Sequence, residues 1–246
     1  MKKNSLALVI QARINSSRFP KKIMKDLCGK PMIERIINRV KKIKKIKKII
    51  LATTKNKEDD ILVGVAKSNN IDIYRGSEND LVDRYYQAVK NKKVKHILRL
   101  PADNPIPEPR EYIRLINYHL KSKNDFSSNI CNFMKNGYPD GIGIEIFTFE
   151  SLKKIWENEK RKKFREHVSL NYLDYKNSKI NPKFDFKVGT VKCPSNISRP
   201  KLILDINYYK DYLFIKKIYK YFQTKKEFFN ARDVVDWYDN IYLRKN

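Results

Sequence analysis

The fold of this chain is decided near its start, by residues 6–22, LALVIQARINSSRFPKK. The first six residues form an almost continuous apolar run, which is typical of a strand buried on both faces of a parallel sheet. A polar loop follows, and the apolar residues after it recur at the spacing of one helix face: Ile33, Ile36, Ile37, Val40 and Ile43. The stretch therefore predicts a strand, a loop and a helix in succession.

The same order repeats three more times in the first half of the chain. Strands are predicted at residues 49–52, 71–74 and 97–100, each followed by an amphipathic helix. Four such units predict a parallel sheet with helices on both faces, in which ligands bind beyond the carboxyl ends of the strands. After about residue 127 we expect an α+β continuation. Its predicted elements are an extended segment at 142–149, helices at 152–158 and 167–175, strands at 184–191 and 202–204, a helix bearing Leu213, Phe214, Ile218 and Phe222, and a last segment at 234–238.

The chain of 246 residues combines a core-forming composition with a large excess of positive charge. Its 41 % of hydrophobic residues excludes wholesale disorder, and no stretch resembles a linker, so we expect a single domain over residues 1–246. A net charge of +27 favours binding to polyanions, or reflects a compositional bias toward lysine. The first apolar run is far too short to span a membrane, so a cytoplasmic location is expected.

The loop after the first strand carries four cations: Arg13, Arg18, Lys21 and Lys22. Cationic side chains and backbone N–H groups at the carboxyl end of a strand suit a triphosphate, although an ordinary solvated loop has the same composition in so lysine-rich a chain. The loop is not of the Walker A type, because Pro31 stands where that motif requires Ser or Thr.

Short motifs in a fixed order cover nearly the whole chain. They are Gln11-Ala12-Arg13 with Ser17-Arg18, Pro20 and Lys22; Gly29-Lys30-Pro31; Ala52-Thr53-Thr54 with Asp59-Asp60; Arg75-Gly76-Ser77 with Asp83-Arg84-Tyr85; Asp103-Asn104-Pro105; Tyr138-Pro139-Asp140-Gly141 with Glu145; Arg165-Glu166-His167-Val168; and Leu204-Asp205. In this order they resemble the cytidylyltransferases related to CMP-KDO synthetase, especially the spore-coat polysaccharide biosynthesis protein F group.

The resemblance implies a Rossmann-like three-layer α/β/α fold of the nucleotide-diphospho-sugar transferase type. It also implies a homodimer that transfers CMP from CTP to an acceptor with the help of Mg²⁺ and releases pyrophosphate. Residues 1–125 are then mainly the nucleotide-binding half, and residues 126–246 mainly the half for acceptor binding and dimerisation. Carried over to this sequence, the catalytic residues are Arg13, Arg18 and Lys22. The other nucleotide-binding residues are Gln11, Ala12, Ser17, Arg75, Ser77, Arg84 and Asp103.

Two aspartates that follow predicted strands are candidate metal ligands. Asp103 lies in a Pro-rich turn just after the fourth strand, and Asp205 directly follows residues 202–204. Mg²⁺ commonly takes only one or two protein carboxylates besides substrate phosphate oxygens, so this pair suffices. Aspartate is also favoured in turns and at helix N-caps, so position alone does not separate the two roles. The family resemblance favours metal binding by both.

The segment from Tyr138 to Glu145 is the candidate acceptor site. Glycines bracket Asp140 and Glu145, and small residues let a ligand approach the backbone. The resemblance adds Tyr138, Arg165 and His167 to this set. His119, on the apolar face of a helix, is predicted to be a core residue. Gly143 stands where several relatives carry aspartate, which leaves the identity of the acceptor open.

Together these observations predict a CTP-dependent cytidylyltransferase that activates an acidic sugar for surface-glycan assembly. An acceptor oxygen attacks the α-phosphorus in line, while Mg²⁺ and the loop cations neutralise charge. The general base stays open among Asp140, Glu145, Asp205 and the substrate itself. One alternative is a nucleotidyltransferase that acts on a phosphonate or an alkyl phosphate. The other is a nucleic-acid-binding protein, which the charge, 15 Tyr and 12 Phe favour but which lacks a recognised binding motif.

Overall fold

A mostly parallel sheet forms the middle layer of the computed structural model, which describes residues 5–130, 133–174, 177 and 179–244. The strands are β1 (Leu6–Gln11), β2 (Lys48–Thr54), β3 (Asp72–Gly76), β4 (His96–Pro101), β5 (Phe126–Ser128), β6 (Glu145–Thr148), β7 (Leu173–Asp174), β8 (Lys179–Ile180) and β9 (Val188–Gly189). The order across the main sheet is β3-β2-β1-β4-β6-β5-β9, and β7 pairs with β8 apart from it. Strand β6 runs antiparallel to both of its neighbours.

Helices cover both faces of this sheet. They are α1 (Met32–Lys41), α2 (Asp60–Ser68), α3 (Leu81–Val89), α4 (Pro109–Ser122), α5 (Phe149–Asn158), α6 (Lys162–Glu166), α7 (Tyr209–Phe222) and α8 (Ala231–Trp237). Successive residues of a strand point to opposite faces, so one strand serves two cores. In β1, Leu6, Leu8 and Ile10 pack in the core that contains α1, α2, α4, α7 and α8, whereas Ala7 and Val9 pack against α3 and α5. The predicted α/β/α layers are confirmed.

The second half of the chain departs from the prediction at three segments. The helix expected at 167–175 is wrong: the backbone leaves the helical region at His167 (φ −126°, ψ 89°), a single turn follows at Val168–Asn171, and residue 175 lies outside the described residues. Only Val188–Gly189 of the strand expected at 184–191 joins the sheet, because Asp185 turns the chain with φ 52°. Residues 202–204 contribute one isolated bridge, between Asp140 and Ile203.

The buried histidine of the interior is paired. His119 is fully buried, as predicted, and its ring nitrogens lie 3.0 Å from the Ser127 hydroxyl and 3.1 Å from the His96 ring. Large aromatic side chains such as Tyr85, Tyr112 and Phe126 also lie in the core. None of the helices within the described ranges is long and apolar enough to cross a membrane.

Candidate active site

A cleft of about 280 Å³ opens beyond the carboxyl ends of β1 and β4. It brings together most of the predicted nucleotide-binding residues: Gln11, Ala12, Arg13, Ser17, Arg18, Lys22, Arg84 and Asp103. Three larger cavities, of about 430, 650 and 830 Å³, lie away from these residues. We place the site in the smaller cleft because cations, carboxylates and strand ends converge there, as expected for a ligand site in a parallel sheet.

The loop that follows β1 is held in shape by Asp59, a residue that the sequence analysis did not assign to the site. The buried Asp59 carboxylate accepts a hydrogen bond from the Ile14 backbone N–H (2.7 Å) and others from Thr53 and Thr54. Burial raises the pKa of Asp59, but these hydrogen bonds outweigh it and hold the pKa below its ordinary value. Thr53, Thr54 and Asp59 belong to one motif of the sequence, so that motif already named the residues that make this contact.

Lys22 is one of two buried cations of the cleft, the other being Arg84. Among the lysines in the described ranges it alone is buried, with 8 % of its surface exposed. Its ammonium group donates to the Ile206 carbonyl (2.6 Å) and lies 3.5 Å from the Asp103 carboxylate. The Ile206 N–H in turn donates to the Asp103 carbonyl at 2.8 Å. Lys22 therefore ties the loop after β1 to the segment that carries Asp205.

The Asp205 carboxylate lies close enough to Asp140 and Asp103 to respond to their charges. Burial, together with the charges on Asp140 and Asp103, raises the pKa of Asp205 to about 6. In the part of the chain that the structure describes, no group of three His, Cys, Asp or Glu side chains is placed to hold a metal by itself. A carboxylate whose charged form is disfavoured by neighbouring carboxylates fits a divalent cation that takes its remaining ligands from substrate and water.

Cations and carboxylates also pair within the cleft. The Arg13 guanidinium donates to the Glu78 carboxylate at 2.8 Å. Arg84 is almost fully buried, donates to the Glu78 carbonyl (2.9 Å), and has a buried Nε without a hydrogen-bond partner in the described residues. The Arg18 guanidinium lies 5.7 Å from the centre of the exposed Tyr208 ring. Neither Glu78 nor Tyr208 was assigned to the site from sequence, although Glu78 lies inside the motif of residues 75–85.

A second arginine-carboxylate pair lies beside His167, where α6 ends. Glu145 is fully buried, and its carboxylate accepts from Arg99 Nη1 (2.7 Å) and from the Ser169 hydroxyl (2.6 Å). Arg99 lines the cleft, as do His167 and Glu166. Glu145, predicted to bind the acceptor, therefore lies in the interior and contacts Arg99 at the wall of the cleft.

The sequence model of the cytidylyltransferase family matches residues 7–239. The chain belongs to the cytidylyltransferase family. It is 25 % identical to the spore coat polysaccharide biosynthesis protein SpsF of Bacillus subtilis, over 88 % of this chain and 87 % of that protein. It is 30 % identical to a 3-deoxy-manno-octulosonate cytidylyltransferase of an Anaeromyxobacter species, over 42 % of this chain and 43 % of that one. The solved structure of a cytidylyltransferase from Leptospira borgpetersenii has a TM-score of 0.84 and 26 % identity, and the match covers 96 % of this chain and 94 % of that one.

These findings make the protein a CTP-dependent nucleotidyltransferase with a Rossmann-like fold. Of the residues predicted to bind the acceptor in this cytidylyltransferase, His167 lines the cleft. Tyr138 does not, because its buried hydroxyl is bonded to Glu111 and accepts from Arg114 (3.0 Å). Arg165 does not line the cleft either, and its guanidinium group pairs with the Asp80 carboxylate at 2.6 Å.

Two predicted nucleotide-binding residues of the cytidylyltransferase lie outside the cleft lining. Arg75 pairs with Asp60 (2.6 Å) and donates to the backbone carbonyls of Thr54 and Asn56. The Ser77 hydroxyl accepts from the Asp80 N–H at 3.0 Å. Arg75 therefore holds the connection between β2 and α2, Ser77 holds the segment after β3, and neither lines the cleft.

Gly143 has a structural reason to depart from the family pattern. A Cβ atom at this position would lie 2.3 Å from the Asn129 carbonyl oxygen. An aspartate side chain does not fit there while the Asn129 backbone keeps its place.

Proposed function

We propose that this cytidylyltransferase transfers CMP from CTP to an acidic sugar used in surface-polysaccharide or glycan synthesis, with Mg²⁺ as cofactor. The observation that carries the proposal is the convergence of Lys22, Asp103 and Asp205 at one side of a cleft lined by further cations. The acceptor class is supported by two relatives, whose names specify a spore coat polysaccharide and 3-deoxy-manno-octulosonate.

The arrangement explains how the reaction proceeds. Arg18 and Lys22 bind the triphosphate and stabilise the negative charge that moves onto pyrophosphate as it leaves. Asp103 and Asp205 are the residues that would hold Mg²⁺, which neutralises phosphate charge and orients the α-phosphate. An acceptor oxygen attacks the α-phosphorus from the side opposite pyrophosphate, one P–O bond forms as another breaks, and the acceptor gives up its proton. Glu145 no longer counts as a candidate base, because its carboxylate is buried and bonded to Arg99 and Ser169.

An acceptor panel tests the proposal. The purified protein is incubated with CTP, Mg²⁺ and one acceptor at a time, and pyrophosphate release is measured. We expect release with an acidic sugar such as 3-deoxy-manno-octulosonate. Release with an aminoalkyl phosphonate or an alkyl phosphate instead, and with no acidic sugar, would contradict the acceptor class.

The resemblance also supports a homodimer formed through the second half of the chain. Large apolar side chains in that half are exposed: Ile203, Tyr208, Tyr209 and Leu213. Exposed apolar clusters commonly mark contact surfaces. Light scattering should give twice the 29.3 kDa chain mass, and a mass of one chain at all concentrations would contradict the proposal.

A further inference from the structure

A basic cavity lies outside the cleft, between α1 and the connection from α7 to α8. It has a volume of about 830 Å³, which is within the range of small-molecule sites. Of the described residues that line it, one is a carboxylate, Glu227, and six are cations: Lys30, Arg35, Arg39, Lys41, Lys42 and Lys226. The whole chain has 54 basic residues to 27 acidic ones, so its composition alone does not account for this excess.

Most of this charge has no carboxylate to neutralise it. Within the described ranges, only Lys226 among the six cations forms an ion pair, with Asp233 at 2.5 Å. The guanidinium group of Arg35 instead donates to the backbone carbonyls of Leu27 and Cys28. Carbonyl groups satisfy hydrogen-bond donors but leave the positive charge in place, so the cavity attracts anions.

Arg39 is the buried member of this set, with 5 % of its surface exposed. Its Nε donates to the Pro107 carbonyl (2.9 Å) and its Nη2 to the Phe229 carbonyl (3.0 Å). The centre of the Phe228 ring lies 4.4 Å from its guanidinium carbon. Burial lowers the pKa of Arg39, which means that its surroundings do not fully compensate its charge. An anion bound in the cavity would supply that compensation.

Three of the cations form a stripe along α1. Arg35, Arg39 and Lys42 follow one another at intervals of four and three residues, so they share one face of the helix. Arg35 and Lys42 are therefore about 10 Å apart along its axis. Guanidinium groups bind phosphate oxygens through two parallel hydrogen bonds. One phosphate cannot contact the whole stripe, whereas two or more linked phosphate groups can contact several of its cations at once.

We infer that this cavity is a second anion site, which binds a small ligand with two or more linked phosphate groups. Arg35 and Arg39 anchor the phosphates on α1, and the exposed Lys30 and Lys42 contact them from the rim. The inference does not depend on the proposed function, since none of these residues lines the cleft.

Calorimetry with inorganic pyrophosphate, in EDTA and at physiological salt, tests this site. We expect the double variant Lys30→Ala/Lys42→Ala to bind pyrophosphate at least about tenfold more weakly than the parent, because two contacts between charged groups are lost. The matched control is Lys44→Ala/Lys121→Ala, which removes the same charge from exposed lysines outside the cavity and should keep the parent affinity. Pyrophosphate can also enter the cleft, so the titrations are repeated in an Arg18→Ala background, where the difference between the two double variants should persist.

Glu227→Gln provides a second measurement, with an effect in the opposite direction. It removes the carboxylate that lines the cavity and should tighten pyrophosphate binding by about threefold. Glu150→Gln removes an exposed carboxylate elsewhere and should leave the affinity unchanged.

Equal affinities for the two double variants, with native thermal transitions, would overturn the inference. An unchanged affinity in Glu227→Gln would also overturn it, and this variant decides if Lys30→Ala/Lys42→Ala does not fold. A single-stranded oligonucleotide that binds through Lys30 and Lys42, when pyrophosphate does not bind, would overturn it in favour of a nucleic-acid surface.

Discussion

Lys22 joins the loop after β1 to Asp103 and to the Ile206 carbonyl through two contacts of one buried ammonium group. Because the donor is already oriented before substrate binds, its loss should raise the barrier of the chemical step. We expect Lys22→Ala or Arg18→Ala to lower turnover by roughly 10²-fold or more, on the scale of about 3 kcal/mol for one preorganised donor. Pyrophosphate release at saturating CTP measures the effect.

Lys25→Ala is the control for these two variants. Lys25 is exposed, belongs to the same connection between β1 and α1, and does not line the cleft. Its removal should leave turnover near that of the parent. Turnover within a few-fold of the parent in both Lys22→Ala and Arg18→Ala, with unchanged thermal transitions, would remove these residues from the triphosphate site.

The aspartate pair gives a prediction about the metal. If Asp103 and Asp205 hold one Mg²⁺ jointly with the triphosphate, Asp103→Asn and Asp205→Asn should each weaken CTP binding in the presence of Mg²⁺ far more than in its absence. EDTA should abolish turnover of the parent. Titrations of CTP with and without Mg²⁺ provide the readout, and an undiminished response to Mg²⁺ in both Asn variants would make the two aspartates structural.

Single residues differ in how far the sequence predicted their place. Gln11 ends β1, Arg18 and Lys22 lie in the connection that follows it, and all three lie in the cleft as predicted. Tyr138 and Glu145 belong to a matching motif too, yet both are buried against charged partners from distant segments. A motif identifies which residues belong to the site region, but only the packed structure shows which of them face the ligand.

At the scale of elements, the first half of the chain was predictable, because each of its strands and helices shows a clear pattern of apolar residues. The second half lacks that regularity. Phe184, Phe186 and Val191 are buried although none of them lies in a strand. Their apolar character therefore indicates packing in the core and not a strand. Residues 202–204 were expected as a strand and make only one bridge, which joins the segment before Asp205 to Asp140.

Gly141 allows the backbone at Asp205 to come close, because glycine has no Cβ atom. Its φ is +86°, and a Cβ atom there would lie 2.5 Å from the Asp205 backbone N. Gly141→Ala should therefore displace Asp205, lower turnover and destabilise the fold by about 1 kcal/mol or more. Gly64→Ala is the control: it lies in α2 with no atom within 4 Å of the new Cβ, and it should raise stability by about 0.5–1 kcal/mol. Thermal unfolding and turnover of both variants check the pair, and equal effects would contradict the argument.

At the scale of the whole molecule, much of the positive charge lies on the surface while a neutral histidine pair lies inside. Burial, and to a smaller extent the charge of His96, lower the pKa of His119 to about 3. Burial and Lys95 also lower the pKa of His96. An unfolded chain protonates its histidines near pH 6.5. Between these pH values the unfolded state therefore binds protons that the native state rejects.

The contribution of these histidines to the free energy of unfolding should consequently be complete above about pH 6.5. It should fall as the pH drops below that value, by up to about 1.4 kcal/mol per pH unit from His119 alone. His119→Gln removes this titration at the cost of the ring contacts with Ser127 and His96. We expect the variant to have a lower free energy of unfolding than the parent near pH 7.5, and to lose less of it on going to about pH 5. The two curves of this free energy against pH should therefore approach each other. Urea unfolding at several pH values gives the free energies, with the exposed His167→Gln as the control that keeps the parent slope. Equal slopes for the parent and His119→Gln would show that the buried pair does not set the acid limit of the fold.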